Sequence, residues 1–472
     1  MKPIISLLIL ILMLSFHLNG QEVISLQRAR EMALEQNQNL KIADKNLQKA
    51  EAETKAMRTL YLPSLSGSAT VAYLSNEFKE DIYMPTFVPD PTTGQLVPNV
   101  MIDPSNGYPV MGPDGNPVFN MYAYLPLELS LKGAYMAGVN IEQPLFTGGK
   151  IIAANKMANI GCEMATQNIE LQKSNTIAEA DQSYWLYVSV REKVRLAETA
   201  VRMLDSLVAF VKNSVESGLV HQNELLKVQV KFNNATLDLQ KAKSGLELTR
   251  MSLCRVVGLP FETKLVLTDT VVDCSDQLFS SFGNENIEQR PEFQLMSHQV
   301  AMEEEQIKLI RADFLPTMGV SAGYSFLGGI KFGDQSMDNN GFNIMGSLKI
   351  PLFHWGEGVQ KSRSAKLSKE IKILELEKNT QLLQLEIEQA KFNLQDAFMR
   401  IKMAEKALVQ SDENLRLTKD NYELGAELMT DLLIAQTQWQ QVFSDLIEAK
   451  TDFKVKETQY LRVTGRLGMV KE

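Results

Sequence analysis

SVESGLVHQNELLKVQVKFNNATLDLQKAKSGLELTRMSLCRVVGLP, residues 214–260, recurs as NYELGAELMTDLLIAQTQWQQVFSDLIEAKTDFKVKETQYLRVTGRL, residues 421–467, at an offset of 207 positions. Gly218 lines up with Gly425, Glu224 with Asp431, Leu225-Leu226 with Leu432-Leu433, Arg255 with Arg462 and Gly258 with Gly465. Upstream, Pro144-Leu145-Phe146 and Gly149 keep this offset to Pro351-Leu352-Phe353 and Gly356. Leu62-Pro63, Lys55 and Arg58 instead match Leu315-Pro316, Lys308 and Arg311 at 253, so the first copy carries 46 extra residues between Pro63 and Pro144. One unit is present twice, which implies a pseudo-symmetric architecture and argues against a solenoid, since stacked repeats need about three or more copies.

Within each copy two periodicities alternate. Leu432, Ala435, Trp439, Val442, Leu446, Ala449, Phe453, Lys456, Tyr460, Val463 and Leu467 follow steps of three and four, interrupted only by the lysine. Shifted back by 207, the same seam runs from Leu225 and Val228 to Leu253 and Val256. This is a heptad stripe. A stripe so narrow suits helices packed side by side in a coiled coil or around a hollow. The segments 150–213 and 357–420 contain no proline and only Gly161 and Gly358 as breakers. At ~1.5 Å per residue each would run on the order of 95 Å. The spacing predicts long helices over 150–213, 222–257, 357–420 and 428–465, preceded by shorter ones over 25–61 and 288–313.

The other period is two. Leu65, Gly67, Ala69, Val71 and Tyr73 alternate with serine, threonine and alanine, and the same pattern fills 128–142, 316–327 and 341–351. Four strands are therefore expected, over 64–75, 128–142, 316–327 and 341–351, each about the 9 to 11 residues that a tilted strand needs to cross a bilayer. Four strands cannot close a barrel, and an open edge is not tolerated in hydrocarbon, so several copies must share one. The stretch 77–120, with eight prolines, reads as a long external loop, and 260–284 as a linker between repeats 21–284 and 285–472. Tyr73, Tyr122, Tyr124, Phe326, Phe353 and Trp355 would serve as interfacial anchors. A soluble antiparallel sheet is the bland alternative for these strands.

Residues 4–16 form a short apolar run after Lys2, read as part of a signal peptide over 1–20 that would export the mature chain. Three scattered cysteines, Cys162, Cys254 and Cys274, do not make a disulfide scaffold and read as free buried thiols. A net charge of −9 gives no footprint for nucleic acid. After the leader only His221, His298 and His354 remain, none at ligand or triad spacing, so no metal, no cofactor and no catalysis are expected. Gly148-Gly149-Lys150-Ile151 lacks the leading glycine of a phosphate loop, and 334–341 lacks the glutamate of a calcium loop.

With this order of elements the chain resembles the TolC-type family of outer-membrane efflux proteins. The residues that carry the resemblance are Ser25-Leu26 with Ala29 and Ala33-Leu34, Leu62-Pro63-Ser64-Leu65, Arg290-Pro291-Glu292, Phe314-Leu315-Pro316, both Pro-Leu-Phe turns and the interhelical tips at 217–226 and 422–433. It implies a mainly α protein with membrane β: a homotrimer with a 12-stranded barrel in the outer membrane lipid, continued by a periplasmic α-helical barrel. It also implies a passive exit duct, fed by an inner-membrane pump through a periplasmic adaptor, for drug efflux or type I secretion. A periplasmic coiled-coil scaffold or adhesin without a pore is the alternative.

The resemblance further places the adaptor-docking surface at the tips, around Gly218, Leu219, Gly425 and Ala426, and a periplasmic gate among Asp431, Glu224, Glu427 and Tyr422. Asp431 falls on an acidic ring position, but Ile434 stands where the next aspartate would be. Glu427 and Tyr422 occupy the places of an arginine and a tyrosine of the closing network, and Glu224 that of an aspartate, so the latch is carried over in part. Three copies of Asp431 at one height would bias a pore toward cations. The plainer accounts are a glycine that ends a helix because it tolerates positive φ and an aspartate near the positive end of a helix dipole.

Overall fold

The computed structural model describes residues 22–467 apart from 77, 131, 271–278, 280–281, 284 and 333–334. The expected signal peptide and Cys274 lie outside the described residues. Two compact units cut across the sequence repeats. One joins the described residues up to Lys55, Asn155–Ile307 and those from Ser362 onward; the other joins Ala56–Ala154 and Lys308–Lys361.

The first unit is helical. Helices α1 (Leu26–Gln36) and α2 (Gln38–Thr59) stand where one helix was expected. Asn37 separates them because it takes an extended conformation (ψ 122°) and its Oδ1 accepts the Leu40 N–H at 3.0 Å, starting a new helix with its own cap. The long helices are α3 (Lys150–Glu216), α4 (Gln222–Val257), α6 (Glu357–Glu423) and α7 (Met429–Val463), with α5 (Pro291–Ala312) the shorter helix that opens the second repeat. α3 and α6 are 67 residues each. Pro291 opens α5 at the first helical position, where its missing N–H costs nothing. The heptad stripe is the covered side of α4 and α7 at both ends: Leu225, Val228, Leu253, Val256, Leu432, Ala435, Phe453, Tyr460 and Val463 are all buried.

Polar clamps tie this unit together and repeat with the sequence. Arg255 pairs with Glu179 at 2.6 Å, and Arg462 with Glu386 at 3.0 Å, the same pair one offset later. Arg290, 1% exposed, adds its guanidinium to Glu386 at 2.7 Å and Glu292 at 3.0 Å. Asp181, fully buried, accepts Arg30 Nε and Nη2 at 2.7 and 2.8 Å and the Thr458 hydroxyl at 2.6 Å, joining α1, α3 and α7. Charges this deep are tolerated because they are paired and hydrogen-bonded. The linker is not featureless: β8 (Leu265–Leu267) pairs in parallel with β1 (Glu22–Ile24), and the Tyr184 hydroxyl beneath them donates to Asp269 at 2.5 Å. Burial and that carboxylate push the Tyr184 phenol up. Cys254 is a buried free thiol, whereas Cys162, also free, is only half-buried.

The second unit is a sheet built of two hairpins. β2 (Ser64–Tyr73) pairs with β7 (Lys132–Phe146), β7 with β9 (Thr317–Phe332), and β9 with β10 (Gln335–Lys349), all antiparallel. The register puts like with like. Leu65, Ile141, Ala322 and Ile344 form one cross-strand row and Gly67, Val139, Tyr324 and Phe342 the next on the same face. Ser66, Asn140, Gly323 and Asn343 form a row on the other face, followed by Ser68, Gly138, Ser325 and Gly341. One face is apolar and the other polar across all four strands, and β2 and β10 are exposed along their whole length. Among the described residues, no helix is long and apolar enough to cross a membrane.

The expected loop over 77–120 carries three short strands, with turns and isolated bridges between and beyond them. β3 (Phe78–Pro85) pairs with β6 (Tyr122–Ser130), prolonging the β2–β7 hairpin, and β4 (Phe87–Pro89) pairs with β5 (Leu96–Pro98). Proline density misled the reading, because prolines sit at strand ends and at a two-stranded edge, where the missing N–H is not required. Asp90, Asp103 and Asp114 side chains accept main-chain N–H groups two or three residues on and turn the chain between these short strands.

Two glycine bulges lie side by side in the sheet. Gly133 (φ 80°) is the extra residue of β7 against β2, and Gly329 (φ 74°) sits where β9 carries one residue more than β10. A Cβ on Gly329 would stand 2.2 Å from the Gly133 carbonyl oxygen. Gly329→Ala should therefore cost more than the roughly 1–2 kcal/mol of left-handed strain alone. The expected result is a lowered thermal midpoint and less folded protein recovered from membranes. Gly346→Ala, with open space around the site, should leave both unchanged; equal behaviour of the two variants would refute the packing account.

Candidate functional site at the helical tips

The two interhelical turns are built alike. After α3, the Gly218 N–H donates to Val215 O at 2.9 Å and the Leu219 N–H to Ser214 O at 2.8 Å, with Gly218 at φ 75°. After α6, Gly425 donates to Tyr422 O at 3.0 Å and Ala426 to Asn421 O at 2.9 Å, with Gly425 at φ 76°. Both are Schellman turns, which satisfy the last helical carbonyls and need a residue at ease in the left-handed region. No atom lies within 4 Å of a Cβ built on either glycine. Backbone conformation, not crowding, therefore requires glycine here.

The turns leave apolar side chains in water. Leu219 is 79% exposed and Leu424 83%, and Leu428 and Ile434 are also exposed. Leu219 follows its glycine, where a Schellman turn usually folds an apolar residue back onto the helix. Behind the turns the four long helices meet. Leu204, Val211, Leu225, Val228, Met429 and Leu433 form one buried cluster, with Val215, Phe232 and Tyr422 at its margin. A second cluster of Leu415, Leu432 and Ala435 also reaches Tyr422. The Tyr422 ring meets Phe210 edge-on at 6.3 Å.

Among the described residues the four expected gate residues make no hydrogen bond or ion pair with one another. Tyr422, half-buried, has its phenol pushed up by burial and, secondarily, by the Glu224 carboxylate from the other tip. Glu224 itself is paired with Lys227 at 2.9 Å in the first turn of α4. Asp431 lies in the first turn of α7, its N–H donating to Leu428 O at 3.0 Å, and Glu427 precedes that helix. Among the described residues neither Asp431 nor Glu427 forms an ion pair, and Ile434 projects one turn beyond Asp431.

Sequence reading missed three features here. A groove of about 1010 Å³ runs between α4 and α7, with Leu226, Val230 and Ile434 among its apolar lining and Lys227 and Lys231 among its charges. Leu226 and Val230 are the off-seam positions of the heptad pattern, and that is the signal which could have flagged them. A smaller cavity of about 300 Å³ lies beside Tyr422, Phe210 and Leu432. It is lined by Gln436, 6% exposed, whose Nε2 has no hydrogen-bond partner. Among the described residues no cluster of three or more metal-ligating side chains exists.

A two-faced sheet together with a duplicated long-helix pair defines a membrane exit-channel subunit, and comparison with known proteins agrees. The chain matches the outer membrane efflux protein family over residues 29–259 and 283–466 and belongs to that family. It is 20% identical over 346 residues to the alkaline protease secretion protein AprF of Pseudomonas aeruginosa, covering 72% of this chain and 70% of the relative. Identity to the outer membrane protein TolC of Vibrio cholerae is 18% over 349 residues, covering 70% and 76%. The fold is similar to the crystal structure of the outer membrane protein VceC of Vibrio cholerae, with a TM-score of 0.70 at 15% identity, over 93% of this chain and 96% of that one. The protein is an outer-membrane channel component with its helical part in the periplasm, and the pore-less scaffold reading is set aside.

The open space around both tip glycines gives a clean test of their role. Gly218→Ala and Gly425→Ala should each cost about 1–2 kcal/mol through left-handed strain, seen as a lowered thermal midpoint of the helical circular dichroism signal. Full stability in both variants would show that the turns do not depend on the left-handed conformation.

Proposed function

We propose that three copies of this chain close one 12-stranded barrel and form a passive duct, filled from an inner-membrane pump through a periplasmic adaptor that docks at the tips. One observation carries the reading: among the described residues β2 and β10 each have a strand partner on one side only, and both bear the apolar row, which would face lipid. An unpaired edge in hydrocarbon leaves N–H and C=O groups without partners at several kcal/mol each. β2 runs antiparallel to β7, β7 to β9 and β9 to β10, so the β2 of one copy meets the β10 of the next in antiparallel sense. The ring then closes with an even number of strands, as such barrels require. Three copies is the number implied by the resemblance.

At the tips, Gly218, Leu219, Gly425 and Ala426 are the proposed adaptor surface. The exposed leucines and the α4–α7 groove support this, because apolar side chains held in water at a turn gain by being covered. Asp431, Glu224, Glu427 and Tyr422 are the proposed gate. Tyr422 touches both buried clusters and feels Glu224 across the two tips, so a shift of α6 against α4 changes its packing and its charge environment together. Opening by relative movement of packed helices fits such an arrangement. The chain supplies no chemistry of its own, and the pump sets the cargo.

Two measurements bear on this. The native mass of protein extracted in detergent from outer membranes should correspond to three chains; a monomer would remove the shared barrel. In single-channel recordings Asp431→Ala should lower cation preference, since one ring of carboxylates is lost. Unchanged selectivity would take Asp431 out of the pore lining.

A further inference from the structure

The side-by-side bulges at Gly133 and Gly329 do more than bend the sheet. In the bilayer-length part, Phe342 and Asn340 of β10 lie in the apolar row with Tyr324 and Phe326 of β9. Along β10, unbroken from Gln335 to Lys349, alternation then puts Met337 and Gln335 on the opposite, polar face and Ser336 on the apolar one. Beyond the extra residue of β9, Met337 is in register with Ile330 and Ser336 with Lys331. Ile330 thus sits on the formerly polar face and Lys331 on the formerly apolar one.

The inversion carries into the ribbon that stands beyond the second hairpin. Leu129 is in register with residue 332, which pairs with Gln335, and Phe78 is in register with Leu129. Phe78, Leu129 and their same-face successors Leu127, Ile82, Leu125 and Met84 therefore continue the face that lower down carries serine and asparagine. Glu80 is the one charged residue among them. The opposite face has Lys79 bridged to Glu128 at 3.0 Å and Asp81 accepting the Tyr124 hydroxyl at 2.7 Å, with Tyr83 beside Tyr124 at 5.5 Å between ring centroids. A single extra residue in a strand re-aims every side chain after it, since the side-chain period is two.

In the closed barrel proposed above, on which this inference rests, the polar face of the sheet lines the lumen. Past the bulges the lumen side becomes apolar and the outward side becomes polar and charged. The ribbon reaches beyond the β9–β10 hairpin by on the order of 23 Å, at ~3.3 Å per residue. Among the described residues the apolar side is covered only in part: Phe78 is 54% exposed, Met84 46% and Leu125 44%, while Ile82, Leu127 and Leu129 are half-buried. A two-stranded ribbon alone is marginal in water. Toward the axis of a closed ring, this side faces the same ribbon of the other copies.

We propose that the β3–β6 ribbons of neighbouring copies pack apolar face to apolar face across the axis and constrict the outer mouth of the channel. The occupant of each exposed face is a second copy of this chain.

Disulfide trapping in intact membranes tests this. With Cys162, Cys254 and Cys274 replaced by alanine, cysteine is introduced at Leu125 or Ile82 on the inward face, or at Tyr124 on the outward face. After oxidation, Leu125→Cys and Ile82→Cys should yield covalent chain dimers at roughly ten times the level of Tyr124→Cys, because facing thiols in one assembly have a high effective concentration. Equal yields, or more from Tyr124→Cys, would overturn the inversion. Native mass from the same membranes separates the two readings. A multi-chain particle with no dimers at Leu125 or Ile82 sinks the constriction alone, and a single-chain mass sinks the shared barrel on which it stands.

Discussion

Backbone hydrogen bonding in a medium without water is the constraint from which the rest of this structure follows. A strand inside hydrocarbon must have its N–H and C=O groups met on both sides, and a chain with four strands leaves two edges open. Here those edges are β2 and β10, both exposed along their length in the single chain. Duplication makes an economical answer possible. Each copy of the unit contributes one hairpin, the hairpins join through β7 and β9, and the strand directions allow any number of subunits to continue the ring.

The helical unit obeys a different constraint. Helices of 67 residues cannot be buried all round in so small a chain, so a narrow apolar stripe is all they can cover and the polar remainder must meet water. Stripes alone specify register poorly, and the charged clamps supply what they lack. Arg255–Glu179 and Arg462–Glu386 fix one return helix against one long helix in each repeat. The asymmetric additions, Arg30 on Asp181 and Arg290 on Glu386, tie the shorter helices to them. Near the tips the described contacts are mostly apolar, through clusters that share Tyr422. Apolar contacts without fixed polar partners are the kind that can slide, which suits the gate proposed at the tips.

Much of this was legible from residue spacing. Heptad steps gave the long helices, alternation gave four strands, and the 207 offset exposed two copies of one unit. The tip turns could be placed because glycine after a long periodic run has a definite backbone reason. Other elements were illegible for equally definite reasons. Asn37 breaks a helix through a side-chain bond to Leu40 that competes with the helical pattern. β3 hid in a proline-rich stretch because edge positions spare proline its usual penalty. The 265–267 strand is too short to show a period. Gln436 and the α4–α7 groove arise only where helices from both repeats come together.

The duplication, the periods and hence the two kinds of surface could be read from the order of residues, because periodicity is a local property set by 3.6 or 2 residues per repeat. That order also carried the expectation that several copies share one barrel, since four strands of bilayer length have no way to close. Which strands are neighbours, which face each row shares and where that face inverts came from the folded chain. Register depends on hydrogen bonds between residues far apart in the chain, and one glycine bulge, invisible in a hydropathy pattern, reverses every side chain beyond it.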